Sequence, residues 1–526
     1  MDQAEVGLRL EASISGLASR APAVSVRRLL TRGQRRLLLV LAALVVAGLI
    51  VDLDDTAMAL GVLVTLAYVV CAVYRIRLFV RSTGSHVSEV VTDEEARAVP
   101  DDQLPTYSVL VPAYREAEVV QHLVANLRRL EYPLDRLEVL LLVEEDDTET
   151  IAAVGDEDPG PQFHLVVVPP AEPRTKPKAL NFGLTMARGE LVAVYDAEDE
   201  PDPLQLRRAA VALRRLGPDV GCLQAKLSYS NPDQNLITRW FTIEYAMWFN
   251  FFLPGLASIG APIPLGGTSN HFRRAVLRSM GGWDPYNVTE DADLGIRMAR
   301  EGYAVKVLES VTMEEANSDF VNWVKQRSRW YKGYLQTLLV HLRSPRELRR
   351  DLGWRGCVHF CVFVGGTPFL AVLNPLFWLM TALWFLVHPA FIERIFPAPV
   401  YYLGLACWAF GNVLLGYLTL VSCRIIRRGE LLWAALLIPL YWVMMSLAAV
   451  KAVWQLVATP TFWEKTVHGL HLRPRSGTVP EATAPGVATG DGPPGQPRPA
   501  ASRGEHGLDE GGEDLTAASI RVAARR

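Results

Sequence analysis

The chain has 526 residues, 50% of them hydrophobic and 21% charged, and its 53 Lys and Arg against 56 Asp and Glu leave a net charge of -3. No overall basic field is available to hold nucleic acid, which is excluded as a partner. Six Cys, four of them (Cys71, Cys361, Cys407, Cys423) in or beside apolar runs and none in a CxxC pair, exclude a disulfide framework and a cysteine-based zinc site.

The first apolar run, Leu37 to Val51, follows a segment 1–36 that carries seven Arg against Asp2, Glu5 and Glu11. A second extends from Ala57 to Tyr74, and the turn between them, Asp52-Leu53-Asp54-Asp55, is acidic. A cleavable signal would begin near Met1 and end in small residues, so the pair is predicted to be a retained transmembrane hairpin over 37–80. Arg27, Arg28, Arg32, Arg35 and Arg36 precede it and Arg75, Arg77 and Arg81 follow it. By the positive-inside rule both ends of the hairpin are cytosolic, and so is whatever follows.

From about 100 to 350 short apolar runs alternate with charged helical stretches, as in a soluble α/β domain. Tyr107 to Val111, Leu137 to Val143 and Leu191 to Tyr195 read as buried parallel strands. Ligands of open α/β sheets bind beyond the carboxyl ends of the strands. The first candidates for chemistry are therefore Pro112-Ala113-Tyr114-Arg115-Glu116, Glu144-Glu145-Asp146-Asp147 and Asp196-Ala197-Glu198-Asp199.

Apolar runs return at Cys357 to Val387, Val400 to Cys423 and Leu431 to Val457. The first is interrupted by Gly365-Gly366, Pro368 and Pro375 and reads as one kinked span, an interfacial helix plus a span, or two short spans. The region 351–460 is thus predicted to hold three or four transmembrane helices. A short segment 461–472 follows. The Pro-, Gly- and Ala-rich tail 473–526 has almost no large apolar residue and is predicted to be disordered.

Three motifs carry the chemical argument, and each has a purely structural alternative. Asp196-Ala197-Glu198-Asp199 emerges at a strand end, where a hard divalent cation could bridge carboxylates to a diphosphate; otherwise it is a solvated loop capping the next helix. Thr289-Glu290-Asp291 opens a helix, either as a capping box or as the seat of a general base, Asp291, for an attacking hydroxyl. Gln326-Arg327-Ser328-Arg329-Trp330 puts cations beside an indole, which suits a basic interfacial helix or a phosphorylated sugar.

In this order and at these spacings, the motifs resemble those of the membrane-embedded processive enzymes of glycosyltransferase family 2, the cellulose, chitin and hyaluronan synthases among them. Asp196 to Pro203 is similar to the "DAEDxPxP" pattern of a bacterial exopolysaccharide and β-glucan synthase branch. The resemblance covers about Tyr107 to Gln336. It implies a GT-A type domain, Rossmann-like with a mixed sheet, inserted between transmembrane helices of a multi-pass cell (plasma or inner) membrane protein. It further implies that Asp146 or Asp147 contacts the nucleoside of a UDP-sugar, with Pro112, Ala113 and Glu116 lining the same pocket and Lys178 and Asn181 nearby. Asp196 and Glu198 would hold Mg²⁺ or Mn²⁺, with Asp196 also at the donor and Asp291 as base. Glu290, Gln326, Arg329 and Trp330 would bind diphosphate and acceptor. Gly266-Gly267-Thr268-Ser269-Asn270 matches the family's acceptor floor, or is a simple turn. Glu198 stands where the family usually has Asp, which leaves Asp199 as a competing second ligand. Segment 461–472 is a loose counterpart of a gating loop.

The expected reaction is inverting transfer from a UDP-sugar, with glucose as the expected sugar, to a growing β-linked polysaccharide that passes through the bilayer, with secretion-complex proteins as further partners. A single addition to a membrane lipid is the alternative. An inactive scaffold is a minor one, opposed by the intact set of motif residues.

Overall fold

The computed structural model describes residues 2–84, 87–460 and 462–464. The tail expected at 473–526, and all of the segment 461–472 except Phe462, Trp463 and Glu464, lie outside the described residues.

Eight strands build one sheet: β1 (Tyr107–Ala113), β2 (Leu137–Glu144), β3 (Phe163–Val168), β4 (Leu191–Val194), β5 (Glu200–Pro201), β6 (Val220–Tyr229), β7 (Asn270–Arg273) and β8 (Ala304–Glu314). Their spatial order is β3-β2-β1-β4-β7-β6-β8-β5. The three runs read as parallel strands are β1, β2 and β4, adjacent and parallel, with Val109 opposite both Val139 and Ala193. β7 runs antiparallel to both β4 and β6, which makes the sheet mixed. Alternate residues feed opposite faces, as a two-residue period requires. Leu110, Leu140, Leu142, Val192 and Val194 enter one core, and Val109, Val111, Val139, Leu141 and Ala193 the other. Burial on both faces explains why these strands read as continuous apolar runs.

Five helices are long and apolar enough to cross a membrane: Arg32–Val51, Leu53–Ser82, Pro345–Val387, Ala398–Ile425 and Ile438–Ala458. The first two meet at Asp52, whose side chain caps the second by accepting from Asp55 N at 2.9 Å. The 345–387 stretch is neither straight nor uniform. Gly353 takes φ 67°, a π-helical turn occupies Cys361–Gly365, and Pro375 lies inside the last helix. Each of these interrupts the regular hydrogen-bond ladder.

The N-terminal segment is packed into the α/β domain. Asn181 Nδ2 donates to Ser13 O at 3.0 Å, and Asp284 accepts from Val26 N at 2.6 Å and from the Ser25 hydroxyl at 3.2 Å. On the opposite side of the helices, Arg394 lies 3.8 Å from Asp54, joining the 388–397 connection to the turn of the hairpin. Arg428 approaches Asp233 of the domain at 3.8 Å. The last helix touches the domain at both ends. The Tyr441 hydroxyl donates to Glu244 at 2.5 Å, whereas Gln336 donates to Pro460 O at 2.6 Å and Lys332 to Phe462 O at 2.5 Å.

Candidate active site

A cleft of about 350 Å³ opens beyond the carboxyl ends of β1, β2 and β4. Pro112, Ala113, Glu116, Asp196, Glu198, Glu290, Asp291, Gln326, Arg329 and Trp330 all line it. Residues from four separate stretches thus meet in one cavity, as expected of ligand sites in α/β sheets.

Four of the residues assigned to the donor lie outside that lining. Asp147 caps the helix Thr148–Glu157, accepting from Thr150 N at 3.2 Å, and also accepts from Arg115 N. Asp146 pairs with Arg174, which does line the cleft. Lys178 is fully buried and donates to Glu144 at 2.7 Å and to Pro169 O at 3.2 Å. Asn181 donates to Ser13 O and Trp283 O and accepts from Trp283 N at 2.9 Å, which makes it a staple between segments. The cleft lysine is Lys176, two residues earlier, whose ammonium donates to Asp196 and, at 2.9 Å, to Gly267 O. Burial works against its charge, but Asp196, Glu290 and Asp291 together raise its pKa.

At the strand end, Asp199 braces the turn. Its Oδ2 accepts from Asp196 N at 2.8 Å and from the Thr268 hydroxyl. Its Oδ1 is buried with no hydrogen-bond partner. Burial, reinforced by Asp196 and Glu198, pushes the Asp199 pKa well up. Glu314, at the end of β8, also lines the cleft, and burial together with Asp199, Asp196 and Glu198 raises it strongly. Clustered carboxylates that raise one another, one with an unsatisfied oxygen, fit a cation. Among the described residues no three His, Cys, Asp or Glu side chains are grouped to hold an ion by themselves. The arrangement therefore suits a divalent cation held by one or two carboxylates together with a bound ligand.

In Thr289-Glu290-Asp291 the capping-box alternative is not realised, because the Thr289 side chain makes no cap hydrogen bond. The structural carboxylate of this helix is Asp293, which accepts from Arg297 Nε at 2.7 Å and pairs with His341 at 3.0 Å. Glu290 and Asp291 are left to the cleft. Burial and Asp291 push Glu290 up to about 8, partly offset by Lys176. Burial also raises Asp291, against the Ala292 N–H, Lys176 and Arg329. The backbone of Gly267 lies beside Asp291. A Cβ on Gly267 would stand 3.4 Å from Asp291 Oδ2 and 3.7 Å from Lys176 Nζ.

Gln326, Arg329 and Trp330 share one face of the helix Phe320–His341 through i, i+3 and i+4 spacing. Arg327 has a different job. It forks onto both oxygens of Glu244 and lies 4.4 Å over the Trp330 ring. Among the described residues Arg329 has no carboxylate at ion-pair distance; its guanidinium lies 4.9 Å from the Trp463 ring, and its buried Nε has no hydrogen-bond partner. Trp330 stacks on Tyr245, with centroids 6.2 Å apart and planes at 27°. Lys176 and Glu314 are among the cleft residues that sequence reasoning did not assign, and Trp463 comes from the segment read as a loose gating-loop counterpart. Lys176 had a usable signal, since it shares a stretch with Lys178.

The family described as glycosyltransferase-like family 2 matches residues 105–333. Those residues form a family 2 glycosyltransferase domain. The domain is of the GT-A type, with the mixed sheet described above. A probable glycosyltransferase of Bacillus subtilis, YdaM, is 29% identical over 275 residues, 50% of this chain and 64% of its own length. A β-monoglucosyldiacylglycerol synthase of Synechocystis is 29% identical over 325 residues, 60% of this chain and 63% of its own. A probable glucomannan 4-β-mannosyltransferase of Arabidopsis thaliana is 27% identical over 256 residues, 47% of this chain and 46% of its own. The chain thus spans less than two thirds of each relative.

Proposed function

We propose that the protein is an inverting glycosyltransferase of a cell membrane that moves a sugar from a nucleotide-sugar donor, with UDP-glucose as the assigned donor, to a hydroxyl of a membrane lipid. The observation that carries the acceptor assignment is the continuation of the cleft. Glu244, Trp248, Tyr331, Thr367 and Met445 line both it and a second cavity, of about 120 Å³, bounded by Leu370, Leu414, Leu415 and Leu418 of the apolar helices. Such walls suit an alkyl chain, whereas a polysaccharide needs hydrogen-bonding partners along its path. The glucosyl-lipid product in the name of the Synechocystis relative supports the same reading.

The chemistry follows from the side chains. Asp291 takes the acceptor proton, and its raised pKa brings its basicity closer to neutral pH. Gly267 keeps the space beside it open. Arg329, with no carboxylate of its own at ion-pair distance, meets the charge that grows on the departing diphosphate. Asp196 and Glu198 would hold a divalent cation, which supplies further charge neutralisation at that leaving group. Pro112, Ala113 and Glu116 border the donor side. Asp147 shapes that border by accepting from the backbone N–H of Arg115. With one base and direct displacement, an α-linked donor gives a β-linked product.

A growing β-linked polysaccharide is the second reading. It is favoured by the Trp330 and Tyr245 stack, a flat aromatic surface suited to a sugar ring, and by the mannan-forming relative. Vesicles containing the protein, given radiolabelled UDP-sugars with Mg²⁺ or Mn²⁺, separate the two. Organic-extractable, β-glycosidase-sensitive label is expected. High-mass label would replace the lipid with a polymer.

A further inference from the structure

The second cavity contains a cation that the chemistry above does not use. Arg75 lies near the domain end of the helix Leu53–Ser82 and lines this cavity. Its Nη2 donates to the Thr367 hydroxyl at 3.3 Å, and its guanidinium lies 5.5 Å from the Phe252 ring. Among the described residues no carboxylate lies at ion-pair distance from it. The acid on the same wall, Glu244, is already committed. Arg327 holds both its oxygens, one at 2.9 Å, and the Tyr441 hydroxyl donates at 2.5 Å. Glu244 thus balances Arg327 and leaves the Arg75 guanidinium without a paired carboxylate among the described residues.

A guanidinium has five N–H donors in a planar fork, and charge taken out of water is costly unless paired. The same cavity is lined by the apolar Ile76, Leu370, Leu414 and Leu418. Thr367 and Tyr331 line both this cavity and the cleft that holds Asp291. An apolar wall, a charge beside it and a base in the adjoining cleft match the parts of one kind of molecule.

We propose that this cavity takes an anionic phospholipid whose headgroup carries a free hydroxyl, a polyol phosphodiester. The inference rests on the lipid-acceptor reading and narrows it. The phosphodiester pairs with Arg75, an acyl chain runs along Leu370 and Leu414, and the headgroup hydroxyl reaches toward Asp291. That oxygen bonds to the anomeric carbon as the bond from carbon to diphosphate oxygen breaks. The bonding electrons leave with the nucleoside diphosphate, and the hydroxyl proton passes to the Asp291 carboxylate.

The test uses the full chain in phosphatidylcholine nanodiscs with radiolabelled UDP-glucose and Mn²⁺. Three lipids are doped in separately: phosphatidylglycerol, with phosphate and hydroxyl; diacylglycerol, with hydroxyl alone; and phosphatidic acid, with phosphate alone. Label is expected to enter phosphatidylglycerol in preference to diacylglycerol, and phosphatidic acid to compete. Arg75→Gln should reduce the preference for phosphatidylglycerol over diacylglycerol about ten- to a hundredfold, the worth of a charge-assisted contact, while Arg75→Lys retains most of it. The comparison of lipids on the unaltered chain needs no variant to fold. Equal or better transfer to diacylglycerol would overturn the phosphate assignment and leave the lipid reading standing. Label found only in high-mass polymer would remove the lipid reading itself.

Discussion

Lys176→Met tests the electrostatics of the site most directly. It keeps an unbranched side chain of similar length and deletes the charge that touches Asp196 and Gly267 O. Lys176 Nζ and Asp291 Oδ2 flank the same point above Gly267, so they are no more than about 7 Å apart. At an effective dielectric of about 20, opposite charges at that distance attract by about 2 kcal/mol, which corresponds to about 1.7 pH units on the base. Removing the cation disfavours the ionised carboxylate, so the pKa of the pair Glu290 and Asp291 rises further. The base works deprotonated, and activity is therefore lost on the acid side at a higher pH than before. In the unaltered protein the acid limb of kcat/KM should already lie above the ordinary carboxylate range, because burial raises both groups. In Lys176→Met it should move upward by about 1 to 2 units. The assay is sugar transfer in nanodiscs from pH 5 to 9 at saturating metal. A limb that stays in place, or moves down, would refute the assignment of these carboxylates as the titrating base and of Lys176 as the cation that tunes it.

Asp291→Asn should cut turnover about a hundred- to ten-thousandfold, the usual worth of a positioned base, while donor affinity measured by titration calorimetry stays nearly unchanged. Asp196→Asn should instead weaken nucleotide binding in the presence of Mn²⁺ and leave metal-free binding little altered, which equilibrium dialysis would show. Gly333→Ala addresses packing: its Cβ would stand 2.1 Å from Thr289 Oγ1 and 2.4 Å from Thr289 Cγ2. Forced overpacking of this kind costs about 1 to 3 kcal/mol, read as a lower unfolding midpoint in detergent, and Thr289→Ala should restore part of it.

The strands that form the floor of the cleft were legible because they are buried on both sides. Leu137 to Val143 alternates between two cores yet stays apolar throughout. β6 and β8 escaped because they carry Gln224, Lys226, Lys306 and Glu309, whose partners lie far away in sequence. Lys226 pairs with Glu309 only once those two strands lie side by side. The same dependence on long-range pairing hid Glu314, at the end of β8. Asp196, Asp291, Gln326, Arg329 and Trp330, taken from separate motifs, line one cleft. The motifs did not say which charged neighbour would face inward. Lys178 and Asn181 are residue types that bind nucleotides elsewhere, but here one neutralises Glu144 and the other fastens the N-terminal segment.

The contacts at the ends of the apolar helices constrain how often the chain can change sides. Residues 13–26 and 181–284 touch, so the hairpin between them leaves and returns to one face, an even number of passages. The helix within 345–387 leads away to meet the hairpin turn through Arg394 and Asp54, and Ala398–Ile425 comes back to Arg428 beside Asp233. Ile438–Ala458 then starts at Glu244 and finishes at Lys332 and Gln336, all on the glycosyltransferase domain. We infer that this fifth helix, though long and apolar enough to cross, does not exchange one face for the other. It lies along the domain and lines the second cavity with Ile438, Tyr441, Trp442 and Met445, so its length and apolar character serve packing against the domain as well.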